Sequence, residues 1–331
     1  MSDGSSAGPE KAEYRRFFRI FELPNALRES ILQDHWDFEK QMEHQEAQMS
    51  AKLDLNGKVA VVTGGGGILC SCMAKALAEC GAKVAVLDLK QESAEKVAAE
   101  IREKGGNALG IAANVLDVES LRAAEKQIRE TFGTCDILIN GAGGNHPKGT
   151  TSSEKLTLSD ITNPVEGKIT FFDLDPAGIG FVFNLNFLGT LLPSQVFCRE
   201  MALKGGGIVI NISSMNAFKP LTKIPAYSAA KAAISNFTQW LATHMSGVNI
   251  RVNAIAPGFF LTNQNRTLLT NPDGSLTARG NTISAHTPMG RFGTPEDLIG
   301  TLLWLVDNDA SGFVNGTVIP VDGGFSAFSG V

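Results

Sequence analysis

Tyr227 and Lys231 stand four residues apart in Ala226-Tyr227-Ser228-Ala229-Ala230-Lys231. On a helix that spacing puts both side chains on one face. An ammonium there would favour phenolate and lower a phenol pKa that is normally about 10. Ser214 lies thirteen residues upstream, in Asn211-Ile212-Ser213-Ser214, and could bring a hydroxyl from a neighbouring strand end to hold a substrate oxygen. The three groups would make an acid/base device for a carbonyl/alcohol pair. Taken alone, Tyr-x-x-x-Lys is equally a packed ring beside a solvated amine, so its meaning depends on the elements that must position it.

The first of these is Val59-Ala60-Val61-Val62-Thr63-Gly64-Gly65-Gly66-Gly67-Ile68-Leu69, where an apolar run enters a glycine cluster. A helical pattern follows at Met73, Ala74, Leu77 and Ala78. Strand, glycine turn and helix N-terminus together form a phosphate cradle, with free N–H groups and the positive dipole end facing an anion. The next apolar run, Val84 to Leu87, ends in Asp88, twenty-four residues past Gly64. A carboxylate there can accept from both ribose hydroxyls of an adenosine and would repel a 2′-phosphate. A tight turn and a solvated Asp would explain each piece singly, but the ordered set points to a dinucleotide, and to NAD(H) over NADP(H).

From residue 54 to 331 the chain resembles the short-chain dehydrogenase/reductase family. The resemblance is carried by Thr63-Gly64, Asn140-Gly141-Ala142-Gly143, Asn186 in Asn184-Leu185-Asn186-Phe187-Leu188-Gly189, Ser214, Tyr227 and Lys231, Pro257-Gly258-Phe259-Phe260-Leu261-Thr262, and Asp322-Gly323-Gly324. It implies Asn186, Ser214, Tyr227 and Lys231 as catalytic residues. Tyr227 would be the acid or base and Ser214 would orient the carbonyl. Lys231 would hold the nicotinamide ribose, and Asn186 a relay water. It also implies a cofactor site built from Gly64, Gly66, Gly67, Ile68, Asp88, Asn114, Val115, Asn140, Ala142, Gly143, Tyr227, Lys231, Pro257, Gly258, Phe260 and Thr262. Four positions depart from the family pattern: Ile68 and Cys70 occupy the later glycines of Thr-Gly-x-x-x-Gly-x-Gly, and Gly141 replaces the second Asn of Asn-Asn-Ala-Gly. Asn114 stands where an Asp is usual. Helices carrying Asn186 and Tyr227 are dimer faces in the family, so a homotetramer is expected.

Short β runs near 58–63, 83–88, 108–113, 136–140, 207–212, 250–255 and 317–320 alternate with helical patterns near 68–80, 91–104, 117–132, 178–203, 225–245 and 295–306. Such alternation predicts an α/β fold, a doubly wound parallel sheet (Rossmann fold) whose ligand cleft lies at the carboxyl ends of the strands. Residues 54–331 form this single domain, behind an N-terminal extension (1–53) that is partly disordered or helical. The extension carries ten acids and six bases in residues 1–50. It reads either as a solvated arm or as one docking through Phe17, Phe18 and Phe21.

At 43% hydrophobic and 19% charged residues, with a net charge of −5, the chain has the composition expected of an ordinary soluble globular protein and offers no electrostatic footprint for nucleic acid or an anionic membrane. No apolar run approaches the roughly 18 residues of a membrane span, and no secretory segment opens the chain. Its five cysteines do not form a disulfide framework, which suggests the cytoplasm. Cys70-Ser71-Cys72 lacks a second Cys/His pair, so no metal is expected.

Two connections are long, Asn145 to Pro176 and Asn263 to Thr287, and structureless loops of that length are usually lids. Their polar content suits a hydroxylated, anionic substrate. The candidate contacts are Ser214, Asn145, His146, Asn216 and Arg266; Arg279 is the other lid arginine. Within the family the resemblance is nearest to the short-chain-type D-mannonate oxidoreductases (fructuronate reductases), through Gly143-Gly144-Asn145-His146-Pro147 and Pro257 to Arg266. That implies interconversion of D-fructuronate and D-mannonate with NAD(H). Another sugar-acid or polyol dehydrogenase, such as a gluconate 5-dehydrogenase, is the alternative. A silent NAD sensor is a third, disfavoured because it needs no proton relay.

Overall fold

β1 (Val59–Thr63) is buried at every position and apolar at all but Thr63, which only an inner strand covered on both faces requires. In a computed structural model, which describes Pro24 and residues 53–262 and 266–330, β1 is an inner strand of a seven-stranded sheet, beside the middle strand. The strand order is β3-β2-β1-β4-β5-β6-β7, with β2 (Lys83–Asp88), β3 (Asn107–Ala112), β4 (Ile137–Asn140), β5 (Gly207–Ile212), β6 (Ile250–Pro257) and β7 (Val318–Val321). Every neighbouring pair is parallel. The order in which strands are added reverses between β1 and β4, and such a switch point opens a crevice at the strand ends.

The helices cover both faces. α1 (Ile68–Glu79) and α2 (Gln91–Glu103) pack on one side with α8 (Ile299–Val306), around Met73, Leu77, Val97 and Leu302. α3 (Val118–Thr131), α5 (Gly189–Leu203) and α6 (Pro225–Met245) pack on the other, around Leu121, Phe197, Met201 and Leu241. The expected limits of β2, β5 and α6 are met, and those of the other strands move by one or two residues. The expectations for the N-terminal extension lie outside the described residues.

Three expectations need correction. The helix placed at 178–203 is α4 (Pro176–Phe183), a π turn (Asn184–Leu188) and α5. Asn186 is the cause: its Nδ2 donates to Val182 O at 2.8 Å and to Gly144 O at 2.7 Å, and Thr190 Oγ1 donates to Asn186 O at 2.9 Å. Side chains thus take up backbone groups, and π bulges arise where the ladder is interrupted this way. The run Pro176–Lys204 is also long and apolar enough by composition to cross a membrane. α5 nevertheless packs on β4, β5 and α3, so it is a core helix of this domain.

Nor are the long connections structureless. The first contains Leu158–Thr162 and Phe171–Asp173 as helical turns, and the second contains Arg266–Leu269 and α7 (Ala278–Ala285). Thr-x-x-Asp capping starts the two turns of the first connection: Asp160 accepts from Thr157 N, and Asp173 from Thr170 N, each at 2.9 Å. Such reciprocal caps satisfy the first N–H groups of a helix. Thr151 N bonds Lys223 O at 2.9 Å, pinning the first connection to the entry of α6.

Candidate active site

The glycine turn after β1 holds three backbones in contact. Gly64 has φ +62°, and a Cβ there would lie 2.8 Å from Ala142 Cα. Only glycine meets both demands without strain. A Cβ on Gly66 would come within 2.9 Å of Asp88 Oδ2, the oxygen that accepts from Gly66 N at 3.1 Å. Asp88 Oδ1 accepts from Lys90 N at 3.2 Å, so the carboxylate is aimed before any ligand arrives. The N-cap of α1, Gly67, makes no side-chain cap. The first N–H groups of α1 therefore face the cleft, a setting suited to a pyrophosphate. A dinucleotide fits this floor.

The structure also accounts for two departures from the family pattern. A Cβ on Gly141 would lie 2.2 Å from Cys70 Sγ and 2.9 Å from Thr63 O. Cys70 fills the volume that a side chain at 141 would take, so residue 141 has to be glycine. Burial holds the Cys70 thiol up at about 12, so it is a neutral wedge and not a nucleophile. We expect Gly141→Ala to destabilise the enzyme by about 1–3 kcal/mol, as overpacking does, and Cys70→Gly to relieve much of that loss in the double variant. Additive effects in urea unfolding would show that the two sites do not couple.

On the opposite wall, α6 places Tyr227 and Lys231 beside Ser214 at the end of β5. Ser213 Oγ anchors α6 by donating to Lys231 O at 3.1 Å and by pairing with Ser235 Oγ at 2.7 Å. Lys231 is buried, its Nζ donating to Ile212 O at 2.8 Å and lying 5.6 Å from the Tyr227 ring centroid. Burial lowers its ammonium from 10.5 to about 8. Burial also raises the Tyr227 phenol, and the opposing influence is the Ser214 hydrogen bond. The expected lowering of the phenol by Lys231 does not appear in this geometry, which is a correction. Ser214 Oγ accepts from Asn216 N at 3.2 Å, so its own proton points elsewhere.

These groups line one cleft of about 600 Å³, with Asp88 and Gly64 at one end and Ser214, Tyr227 and Lys231 at the other. Gly66, Gly67, Ile68, Ala142, Gly143, Asn145, Pro257, Gly258, Phe260 and Thr262 line it too. Leu69, Cys70, Gly144 and Phe259 were not anticipated; for Phe259 the signal available was its place directly after Pro257-Gly258. Among the described lining residues Lys231 is the one cation and Asp88 the one carboxylate.

Several expected contacts do not line the cleft. Asn140 is buried and its Nδ2 donates to Ser194 Oγ and Asn211 Oδ1, each at 2.9 Å; it ties β4 to β5 and α5. Asn186 clamps the loop after β4, with Oδ1 accepting from Gly144 N at 3.3 Å while Nδ2 holds Gly144 O. Asn114 is exposed and its Oδ1 accepts from Leu116 N at 3.0 Å. Val115 packs where a Cβ on Gly189 would meet it at 3.1 Å. His146 Nδ1 accepts from Lys148 N at 3.2 Å and the ring lies 5.1 Å from that of Phe181. Asn216 is buried with Oδ1 unpartnered. Arg266 is exposed, one helical turn past the lining residue Thr262, whose carbonyl accepts from Arg266 N at 2.9 Å. Among the described residues no group of three or more His, Cys, Asp or Glu could hold a metal.

With that geometry established, comparison with known proteins is specific. A model of the short chain dehydrogenase family matches residues 58–273. An uncharacterised oxidoreductase of Bacillus subtilis, UxuB, is 54% identical over 278 residues, covering 84% of this chain and 98% of that protein. A Haemophilus crystal structure with bound NAD, provisionally named a D-mannonate oxidoreductase, superposes with a TM-score of 0.80 at 58% identity, covering 84% of this chain and 98% of that one. A Burkholderia cenocepacia gluconate 5-dehydrogenase in complex with NADP and tartrate gives a TM-score of 0.70 at 28% identity, covering 83% of this chain and 97% of that one.

Proposed function

This chain belongs to the short chain dehydrogenase family and is an NAD(P)-dependent oxidoreductase acting on CH–OH groups; from that premise we propose that it interconverts a keto sugar acid and its hydroxy form with NAD(H), namely D-fructuronate and D-mannonate. The observation that carries the proposal is the placing of Ser214, Tyr227 and Lys231 at one end of a cleft whose other end carries the glycine floor and Asp88. The similarity to the Haemophilus protein, with its NAD, supports the choice of acid and cofactor.

When bound, the nicotinamide gives or takes hydride, chemistry that belongs to the cofactor. The protein's part is to orient the substrate and move a proton. Ser214, already accepting from Asn216 N, donates its hydroxyl to the substrate carbonyl. Tyr227 delivers the proton to that oxygen in reduction and removes it in oxidation. Lys231, its Nζ 5.6 Å from the ring centroid, holds the nicotinamide ribose beside Tyr227. We assign the substrate carboxylate to Arg266, because its backbone bond to Thr262 O keeps it within a turn of the cleft and because a guanidinium binds carboxylate bidentately. Asn145 supplies a polar contact at the other side.

A panel of hexuronates and aldonates followed by NADH absorbance tests the reading. D-Fructuronate should be reduced with the highest kcat/KM, and NADH should outperform NADPH. Asp88→Ala should narrow that cofactor preference by removing repulsion of the 2′-phosphate. A wild-type preference for NADPH, or for a neutral ketose, would reject the assignment.

We further propose a cytoplasmic homotetramer. Trp240 is 57% exposed although it stacks on Phe237 and His244, and Phe181 on α4 is 45% exposed. Light scattering at micromolar concentration should give four times the protomer mass; a stable monomer contradicts this.

A further inference from the structure

The last residues of the chain tie together three separate segments on the substrate side of the cleft. Asp322 folds the tail into a turn, with Oδ1 accepting from Gly324 N at 2.9 Å and Oδ2 from Ser326 N at 2.8 Å. The turn presents Phe325 edge-on to Phe259, with ring centroids 5.2 Å apart and planes at 76°. Phe259 lines the cleft on the loop after β6. Phe328 then reaches two further elements. Its ring lies 6.4 Å from that of His286, at the end of α7. Its carbonyl accepts from Lys219 Nζ. Lys219 in turn stands on the turn that Ser214 begins, since Lys219 N bonds Met215 O at 3.0 Å. Met289, three residues beyond His286, donates its N–H to Gly323 O at 3.1 Å.

We propose that the tail, through Phe325 and Phe328, is a strap that sets the positions of the Ser214 turn and of Phe259 relative to Tyr227, and so determines substrate fit without touching the cofactor. Phe325, Phe328 and Lys219 are positioning residues; none lines the cleft among the described residues. The physical reason is connectivity. The Ser214 turn follows β5, the Phe259 loop follows β6, and α7 belongs to the long second connection. Each could settle independently on its own strand end. An aromatic pair, a charged hydrogen bond to a carbonyl and a ring contact from a single tail couple them. Among the described residues, the tail's hydrogen bonds and ring contacts go to the segments above and not to the glycine floor or Asp88 at the far end. The inference rests on the proposed role of Ser214 and Tyr227 in the reaction.

The test uses the full chain and its Phe325→Ala, Phe325→Leu and Lys219→Met variants. With D-fructuronate as substrate, Phe325→Ala should raise KM by about two- to tenfold, the worth of an aromatic pair, while NADH affinity by fluorescence titration stays within about twofold of wild type. Phe325→Leu, which keeps bulk, should recover part of the loss. Hydrogen exchange of the NADH complex supplies a readout independent of substrate. In Phe325→Ala and Lys219→Met, amides of residues 215–219 and 258–261 should exchange faster together, and those of β1 and α1 should not. Faster exchange confined to the tail, or NADH affinity falling in step with substrate affinity, overturns the strap. An inactive wild type, or a Tyr227→Phe variant with wild-type turnover, overturns the reaction assignment instead, and the exchange result still stands or falls alone.

Discussion

Tyr227→Phe is expected to lower turnover by about 10²–10⁴, the range for removal of a general acid–base group, with NADH affinity nearly unchanged. The substitution keeps the ring, its packing and the 5.6 Å approach of Lys231 Nζ to the ring centroid, and removes only the hydroxyl. What is lost is the single group placed to exchange a proton with an oxygen held by Ser214. Because burial raises the phenol in the free protein, the hydroxyl is protonated at neutral pH and ready for the reductive direction. Oxidation needs the phenolate, and should therefore gain more from alkaline pH than reduction does. Steady-state rates in both directions from pH 6 to 10, with single-turnover hydride transfer, would measure this. A variant that keeps more than about a tenth of wild-type turnover would show that the proton comes from elsewhere.

How much of this was legible depends on the range of the interaction that fixes each feature. β2, β5 and α6 are set by local composition, an apolar run or an apolar-periodic stretch opened by a Pro at its first position, and their limits were readable. The π turn was not, because it follows from Asn186 reaching Gly144 O, 42 residues away. The Cys70–Gly141 exchange looked like two unrelated departures in the chain. It becomes one feature when the fold sets Gly141 against α1, where a Cβ on residue 141 would lie 2.2 Å from Cys70 Sγ. The family resemblance implies a cofactor contact for Asn140, but a motif does not say which way an amide turns, and in the fold Ser194 and Asn211 take its Nδ2 inward. The capping pairs at Thr157 and Thr170 were, by contrast, visible three residues apart in the sequence, and should have argued against structureless loops.

Lys231→Met should separate stability from function, with opposite expectations for each. The ammonium is buried and bonds only one carbonyl among its described partners, Ile212 O. Its other near groups are the Tyr227 ring and the Cys70 thiol, neutral below about 12. Burial therefore disfavours the charge and brings the amine from 10.5 to about 8, a penalty of roughly 3 kcal/mol at one pKa unit per 1.4 kcal/mol. The sign follows from proton counts. Below pH 8 both folded and unfolded chains hold the proton, and the fold bears the whole penalty. Between about 8 and 10.5 the unfolded chain holds it and the folded one does not, so wild-type stability rises with pH. Methionine carries no charge and lacks this dependence. Measured by urea unfolding without cofactor, the variant should compare best with wild type at pH 7 and lose ground as pH approaches 10, by an amount tending to roughly 3 kcal/mol. The lost bond to Ile212 O, about 1.5–3 kcal/mol, offsets much of the variant's gain at every pH, so the slope is the diagnostic and not the absolute value. Turnover should meanwhile fall by about 10²–10³, as when a preorganised charge beside a reacting group is removed. A stability difference that is flat from pH 7 to 10 would mean that Lys231 ionises as it does in water, and the buried ammonium beside Tyr227 would have to be abandoned.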